Sequence, residues 1–493
     1  TSAWDKTINL RSTSTWETTR TLTGHVNMIS SIDYNKDGSV LVSGAGNNSV
    51  WESDNSLIFW NTSTGEKICQ LKDHNSAITK VIFDRDADRV FSASADGTMK
   101  ISDYKNCGTV VTYLAVGGND FMIYTSDNYY MASRNALKGI AFRVDGKLVS
   151  FEQFDIYLNR PDIVASRIGK SPEQLIRAYN YLYKKRLRKL QMDEGSLKMD
   201  YQIPNILNES EAPLVTSESV LKLWVKVWDD QYDIQQINVF VNDVPVYGEL
   251  GYRPPQKVKS LRKELEIPLI TGVNKIQISC INSSGAESIY ETVELVRETD
   301  NIKHNLYIAS IGVSNYKDNR FNLTYPTKDA KDMIAKLTES ASLYNQVFTK
   351  LLLDDQVTKT GFQELIPFFA NCTHEDMAII FIAGHGVLNV DFDYFFATYD
   401  MDFDKPELGG IPYDVIHALL DKIKSYRKLL IMDTCHSGEL DKEEIERGPE
   451  PEMEIGGVEF RSAGVGVREK EGFGFENSLE LVEDIFSDTQ KGS

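Results

Sequence analysis

The chain has 493 residues, of which 41% are hydrophobic and 25% are charged, and its formal net charge is −19. Its length predicts roughly three or four domains of ordinary globular composition. The acidic balance argues against nucleic acid as the main partner, because phosphate binding needs a basic surface, and no apolar run is long enough to span a membrane. We therefore predict protein partners, with no nucleic acid and no membrane.

A repeated pattern occupies the first hundred residues. His25, preceded by glycine, leads to Trp60, and His74 leads to Asp103, while three repeat ends are spaced by 49 and 42 residues. This pattern resembles WD40 repeats, which have a period of roughly 40–45 residues and combine into propellers of about four to eight blades. The resemblance implies a platform that binds a protein partner or trigger. Because about two blades are visible, we expect residues 1–150 to be the C-terminal part of a propeller, with the other blades before the first residue.

Two regions without catalytic signals follow. Residues 151–202 are predicted to be a helical connector, and its basic run at 184–189 suits either a helix C-terminus or contact with an anionic partner. Residues 203–300 contain short alternating strands, such as 221–228, separated by turn residues. This pattern predicts an immunoglobulin-like β-sandwich that acts as a spacer or docking module.

Strands and helices alternate from Asn305 onward. Apolar strands are predicted at 306–313, 347–353, 378–383 and 429–432, and helices at 329–337, 361–370 and 411–423. Such alternation predicts an α/β domain with an open, mostly parallel sheet and functional residues at the carboxyl ends of its strands. The predicted fold class is therefore multidomain, with an all-β propeller part and a β-sandwich before the α/β domain.

Two of these strands end in small-residue turns that carry chemistry. His385 follows the apolar run that begins at Phe381, and Cys435 follows the run that begins at Leu430. Carboxyl ends of parallel strands share one edge of a sheet, and a nearby imidazole increases the reactivity of a thiol. The separation of 50 residues is typical of the His-to-Cys spacing in caspase-type peptidases.

These motifs resemble the caspase-like cysteine peptidases, most closely the metacaspase-type branch. The His385-Gly386 pair and the Asp-x-Cys-His-Ser-Gly run around Cys435 carry the resemblance, which covers 303–493. It implies Cys435 as the nucleophile, His385 as general base and acid, and the backbone N–H groups of Gly386 and Cys435 as an oxyanion hole. It implies no cofactor for the chemistry. The fold would normally continue beyond Ser493, so we expect its C-terminal strands to be missing.

Carboxylates near these motifs suggest a specificity pocket. In the resembled metacaspases the acid at the position of Asp433 lines the S1 pocket, and Asp329 loosely matches a second pocket acid. Two carboxylates would favour Lys or Arg at P1. The alternative for Asp329 is an acid that stabilises the start of a helix. The resemblance also suggests Ca²⁺ on an acidic loop that includes Asp400, although a solvated loop accounts for the same residues.

The cysteines indicate the redox environment. Cys69, Cys107, Cys280, Cys372 and Cys435 are scattered and lack metal-binding spacing. This distribution predicts free thiols in a reducing, cytoplasmic compartment. Four of them are expected to be buried side chains, and Cys435 is distinguished by its motif.

Together these observations predict a cysteine endopeptidase with a Cys-His dyad that cleaves protein substrates after Lys or Arg. The WD40 region would recruit or sense, and fusions of this kind resemble prokaryotic proteins. The charged segment 439–474 is expected to be a loop that family members cut. Two alternatives stay open, namely a catalytically silent caspase-fold scaffold that assembles partners, and a caspase-fold transpeptidase.

Overall fold

The structure is a computed structural model that describes residues 5–46, 54–85, 88–118, 120–133, 135–144, 147–198, 200–248, 250–299, 303–389 and 393–436. It contains two compact units, Thr1–Ile203 with Ser284–Glu287, and Pro204–Ser283 with Ser288–Ser493. The predicted cleavable loop at 439–474 lies outside the described residues. Among the described residues, no helix has the length and apolar character needed to cross a membrane.

The first unit is rich in antiparallel strands. Its sheets pair β1 with β2, β3 to β6 in sequence order, β7 to β12 in sequence order, and β13 with β14. The strands are β1 (Thr7–Arg11), β2 (Thr18–Thr23), β3 (Ile29–Tyr34), β4 (Val40–Ala45), β5 (Leu57–Asn61), β6 (Lys67–Leu71), β7 (Ile78–Asp84), β8 (Arg89–Ser94), β9 (Thr98–Asp103), β10 (Gly108–Gly117), β11 (Asp120–Thr125), β12 (Tyr130–Ala132), β13 (Ala141–Val144) and β14 (Lys147–Ser150). The helices are α1 (Asp155–Leu158), α2 (Pro161–Ile168) and α3 (Glu173–Lys189).

A buried hydrogen-bond network explains the Gly-His and Trp signals of the repeats. His25 Nδ1 lies 3.0 Å from an Asp54 carboxylate oxygen, and its Nε2 lies 2.7 Å from Ser43 Oγ. The indole N–H of Trp60 donates to the same Ser43 oxygen at 2.8 Å. Because buried polar groups need partners, these four residues form a unit that ties the loop before β3 to β4 and β5.

The next sheet repeats this arrangement with one change. His74 contacts Asp96 at 3.0 Å and Ser92 at 2.9 Å. Ser102 occupies the position of Trp60, and its buried hydroxyl has no hydrogen-bond partner in the structure. The second network is therefore shorter, because serine at this position supplies no indole N–H to it.

A disulfide in this unit corrects one sequence prediction. Cys69 on β6 is bonded to Cys107 in the turn between β9 and β10, and their Cα atoms are 5.9 Å apart. The prediction of free thiols was wrong for this pair, because residues 38 apart in sequence reveal nothing of the Cα separation that a disulfide needs. Cys280 and Cys372 are buried, and neither is in a disulfide among the described residues. A cytoplasmic location stays a prediction.

The second unit begins with two facing sheets whose strands pair mainly antiparallel. Strand β17 alternates buried and exposed residues, as a strand with one face on a core should. The sheets have the orders β15-β17-β20 and β16-β22-β21-β18-β19, with β16 parallel to β22. Their strands are β15 (Asn205–Asn208), β16 (Val215–Thr216), β17 (Val220–Trp228), β18 (Ile234–Val241), β19 (Val244–Pro245), β20 (Ser260–Pro268), β21 (Gly272–Asn282) and β22 (Glu291–Arg297).

The α/β part of this unit contains a mixed sheet. Its strands are β23 (Leu306–Gly312), β24 (Val347–Leu353), β25 (Met377–Leu388), β26 (Tyr394–Phe396), β27 (Ile411–Pro412) and β28 (Arg427–His436), and its helices are α4 (Pro326–Thr338), α5 (Lys359–Gln363), α6 (Leu365–Phe369) and α7 (Tyr413–Lys422). The order is β24-β23-β25-β26-β27, and β28 pairs with β25. Strands β23, β24, β25 and β28 are mutually parallel, whereas β26 and β27 pair antiparallel, which the sequence did not predict.

Glu375 joins the sandwich to this sheet. Its carboxylate accepts hydrogen bonds from the Thr271 N–H at 2.9 and 3.0 Å, and it pairs with Arg297. Tyr426, which immediately precedes β28, packs into the apolar core of the sandwich. The sandwich therefore contacts the amino ends of β25 and β28, and its role as a spacer or docking module stays a prediction.

Candidate active site

The register of two parallel strands brings the predicted dyad positions together. His385 of β25 is the register partner of Cys435 of β28. Adjacent strands lie about 4.8 Å apart, so the two backbones are side by side at the carboxyl edge of the sheet. The side chain of Cys435 lies outside what the structure describes.

His385 is held on two sides. Its imidazole Nε2 lies 3.0 Å from the carbonyl oxygen of Phe321, and its backbone N–H donates to the Tyr316 hydroxyl at 3.0 Å. Because a carbonyl oxygen only accepts, Nε2 carries the hydrogen, and Nδ1 of the neutral ring is left as a proton acceptor. Burial lowers the pKa of His385, although the bond to Phe321 opposes this shift. The histidine is therefore kept in its neutral, basic form.

Aromatic side chains enclose the imidazole. Phe321 and Phe403 stack with their ring centroids 3.7 Å apart, and both meet the His385 ring edge to face. The Tyr316 ring lies 5.3 Å from the imidazole, centroid to centroid. Only 7% of the His385 surface is exposed as a result. This packing removes the imidazole from solvent and accounts for the cost of protonating it.

The glycines beside His385 are required by packing. Gly384 has a φ of +151°, and a Cβ there would lie 3.0 Å from the Tyr316 hydroxyl. A Cβ on Gly386 would lie 2.5 Å from the hydroxyl oxygen of Tyr394, closer than real Cβ contacts come. Gly386 is thus needed for a neighbouring ring, and its role in an oxyanion hole stays a prediction.

The two predicted pocket acids lie on the same face of the sheet. Asp433 is exposed on β28 and is the register partner of Ala383. Ala383 and Ala330 of α4 belong to one apolar cluster, against which Ile431 also packs. Asp329 precedes Ala330 in the first turn of α4. Since Ile431 and Asp433 are two residues apart on a strand, Asp433 faces the helix that carries Asp329.

The acidic residues after β26 are occupied within their own turns. An Asp400 carboxylate oxygen accepts a hydrogen bond from the Thr398 hydroxyl at 3.0 Å. Asp402 accepts the backbone N–H groups of Asp404 and Lys405 at 2.9 and 3.2 Å. Across the residues that the structure describes, no group of three or more His, Cys, Asp or Glu side chains could hold a metal ion. Ca²⁺ at Asp400 stays a prediction, and we derive no catalytic step through this ion.

Sequence reasoning missed the residues that orient His385. Tyr316 and Phe321 lie in the segment between β23 and α4, and Phe403 follows β26. An aromatic residue in the Ser-Asn-Tyr sequence after a buried strand was the available signal for Tyr316. Phe321 contributes its backbone carbonyl, and a backbone contact cannot be predicted from the residue type.

Parts of the chain are similar to known domain families. Residues 309–482 match the caspase domain family, and residues 16–61 and 65–103 match the WD domain, G-beta repeat. The chain carries a caspase domain joined to WD40 repeats. The caspase domain includes both β25 and β28, and the WD40 matches include both histidine networks of the first unit.

One curated relative shares a limited part of the chain. Periodic tryptophan protein 2 of Arabidopsis thaliana is 29% identical over 104 residues, which are 21% of this chain and 11% of that protein. The chain thus spans about a tenth of that relative's length.

Proposed function

We propose that this protein is a cysteine endopeptidase whose caspase domain cleaves protein substrates after Lys or Arg, with Cys435 and His385 as its dyad. The observation that carries the proposal is the register of β25 and β28, which pairs His385 with Cys435. The bond from Nε2 to Phe321 supports it further, because it leaves Nδ1 as the proton acceptor. The WD40 repeats would bind a protein partner or trigger. A prokaryotic source stays a prediction.

The proposed reaction is acyl transfer through a thioester. The neutral His385 imidazole takes the proton of the Cys435 thiol, and the thiolate attacks the peptide carbonyl carbon. The backbone N–H groups of Gly386 and Cys435 stabilise the oxyanion that forms. The imidazolium then gives its proton to the leaving amine, and water, activated by the same imidazole, hydrolyses the thioester.

The proposed preference for basic P1 residues depends on charge. Asp433 is exposed on β28 two residues before Cys435, and Asp329 lies in the first turn of α4, whose Ala330 packs with Ala383 of β25. A pocket with two carboxylates would attract Lys and Arg at P1. Because like charges repel, it would also exclude Asp and Glu.

The proposed function is tested by assaying the full chain on fluorogenic peptides with Arg, Lys, Asp or Leu at P1, with Ca²⁺ and with a chelator. We expect cleavage after Arg and Lys, and no cleavage by Cys435→Ala. Cleavage after Asp alone would contradict the pocket and keep the dyad. No cleavage by the wild type would favour the scaffold, and ligated products would favour a transpeptidase. A difference between the Ca²⁺ and chelator arms would measure ion dependence, which stays a prediction.

Asp433→Asn is expected to lower kcat/KM for Arg peptides by about 10–100-fold, because it removes a charge that faces the P1 side chain. The effect on Leu peptides should be within about threefold. The ratio of the two kcat/KM values measures this change in specificity. Asp332→Asn, on the exposed face of α4, is the matched control, since its carboxylate forms an exposed ion pair with Lys328. An equal loss on both peptides would contradict a pocket role for Asp433.

A further inference from the structure

Two tyrosine hydroxyls contact the segment that carries His385. The Tyr316 hydroxyl accepts the His385 N–H at 3.0 Å. The Tyr394 ring lies against Gly386, where a Cβ would approach its hydroxyl oxygen to 2.5 Å. Both tyrosines are almost fully buried, so their hydroxyl groups bond to protein groups and not to solvent.

Tyr316 fills a gap in the hydrogen bonding of β25. On one side of β25, the parallel partner β23 ends at Gly312, and the antiparallel partner β26 begins its pairing opposite Gly386. The N–H of His385 lies between these two partners and is buried. A buried donor without an acceptor is costly, and the Tyr316 hydroxyl supplies the acceptor.

The loop around Tyr316 is itself fixed. The Asp354 carboxylate accepts the N–H groups of Ser314 and Asn315 at 2.8 and 2.9 Å. The Tyr316 N–H donates to the Asn322 side chain at 2.8 Å. Tyr316 therefore reaches His385 from a rigid support.

The Tyr394 side chain links strand β26 to strand β28 by passing over Gly386 of β25. Its hydroxyl is hydrogen-bonded to the Thr434 hydroxyl at 2.7 Å. Thr434 lies on β28 immediately before Cys435, while Tyr394 lies on β26, so the side chain crosses β25 to reach it. This crossing explains why residue 386 has no side chain.

We propose that Tyr316, Tyr394 and Thr434 are positioning residues that hold the backbones of His385 and Cys435 in the geometry needed for acyl transfer. The inference rests on the proposed function and adds to it the residues that align the dyad. Each acts through a hydroxyl group: that of Tyr316 accepts the His385 N–H, and those of Tyr394 and Thr434 are hydrogen-bonded to each other. Small displacements of reacting groups reduce rates strongly, so loss of one hydroxyl should appear in kcat.

The test compares hydroxyl removal with hydroxyl retention in the full chain. Thr434→Val keeps the branched shape and loses the hydroxyl, whereas Thr434→Ser keeps the hydroxyl and loses the branch. We expect Tyr316→Phe, Tyr394→Phe and Thr434→Val each to lower kcat by about 10–100-fold with KM within about twofold. Thr434→Ser should stay within about threefold of the wild type. The double variant of Tyr394→Phe and Thr434→Val should be no slower than either single variant, because both break one hydrogen bond.

Tyr307→Phe is the matched control, since Tyr307 is a buried tyrosine near the amino end of β23 and stacks on Phe348 away from the dyad. It should keep the wild-type kcat. If the wild type cleaves peptides and Thr434→Val retains its kcat, or if Thr434→Ser is as slow as Thr434→Val, the positioning role is wrong and the proposed function stands. If the wild type cleaves nothing, the proposed function fails and the positioning role fails with it.

Discussion

His385→Gln is expected to lower kcat/KM for an Arg peptide by about 10³-fold, within the range that general acid–base catalysis contributes. In the wild type, the Phe321 carbonyl accepts a hydrogen bond from Nε2 of His385 at 3.0 Å, and a glutamine amide can still donate to it. The amide cannot take a proton from the Cys435 thiol or give one to the leaving amine. The measurement is steady-state hydrolysis, with the melting temperature of each variant measured alongside.

The wild-type pH profile tests the same residue independently. Burial by Tyr316, Phe321 and Phe403 lowers the pKa of His385 from its ordinary value of 6.5. A general base is active when neutral, so activity should persist as the pH falls through 6.5 and decline only below it. We therefore expect the acid limb of kcat/KM to have its midpoint below pH 6.5. A midpoint above 6.5 would contradict a buried, neutral His385 as the base.

His374→Gln is the matched control for this prediction. His374 lies before the amino end of β25, at the opposite end of the strand from His385, and burial lowers its pKa as well. Its loss should leave kcat/KM and the acid limb unchanged. Equal losses in the two variants would mean that removing any partly buried histidine disturbs the domain, and would remove the support for His385 as the base.

Residue patterns were sufficient to locate the strands that carry the site. Every residue of β23 is buried, and its apolar sequence was readable as a strand covered on both faces. In strand β17 apolar residues alternate with polar or exposed ones, because one face of the strand is buried and the other is exposed. The positions of His385 and Cys435 after two such apolar runs then followed from the parallel arrangement.

The end of β25 could not be predicted in the same way. The sequence predicted a turn at Gly384 to Gly386, but the strand continues to Leu388. The continuation depends on β26, which pairs with 386–388 after β23 has ended. A short partner strand supplied from elsewhere in the chain leaves no trace in the local sequence.

The predicted helix 361–370 is interrupted for a local reason. The structure has α5 ending at Gln363 and α6 beginning at Leu365. Pro367 has no N–H, and its ring clashes with the carbonyl four residues earlier, which is that of Gln363. This break was readable from the sequence, whereas the Phe321 carbonyl that orients His385 was not, because backbone contacts depend on the folded loop.

Glu375→Ala is expected to destabilise the second unit by about 3 kcal/mol, which lowers its melting temperature by roughly 6–12 °C. The change removes the partner of Arg297, whose side chain is 12% exposed, and it removes the acceptor for the Thr271 N–H. Breaking a buried pair costs more than the pair contributes, because one charge stays buried without compensation. Differential scanning calorimetry of the full chain measures the shift in the transition of this unit.

Glu339→Ala provides the comparison, because it removes a carboxylate from an ion pair with Lys336 whose two side chains are 77% and 64% exposed. Such pairs contribute little, so its melting temperature should stay within about 2 °C of the wild type. If Glu375→Ala has the same melting temperature as Glu339→Ala, the contact with the sandwich does not stabilise the sheet. If it melts lower, the sandwich stabilises the amino ends of β25 and β28, because Glu375 and Tyr426 precede those strands and contact it. The same two strands carry His385 and Cys435 at their other ends, so the stability of the sandwich contact would then be part of what keeps the dyad aligned.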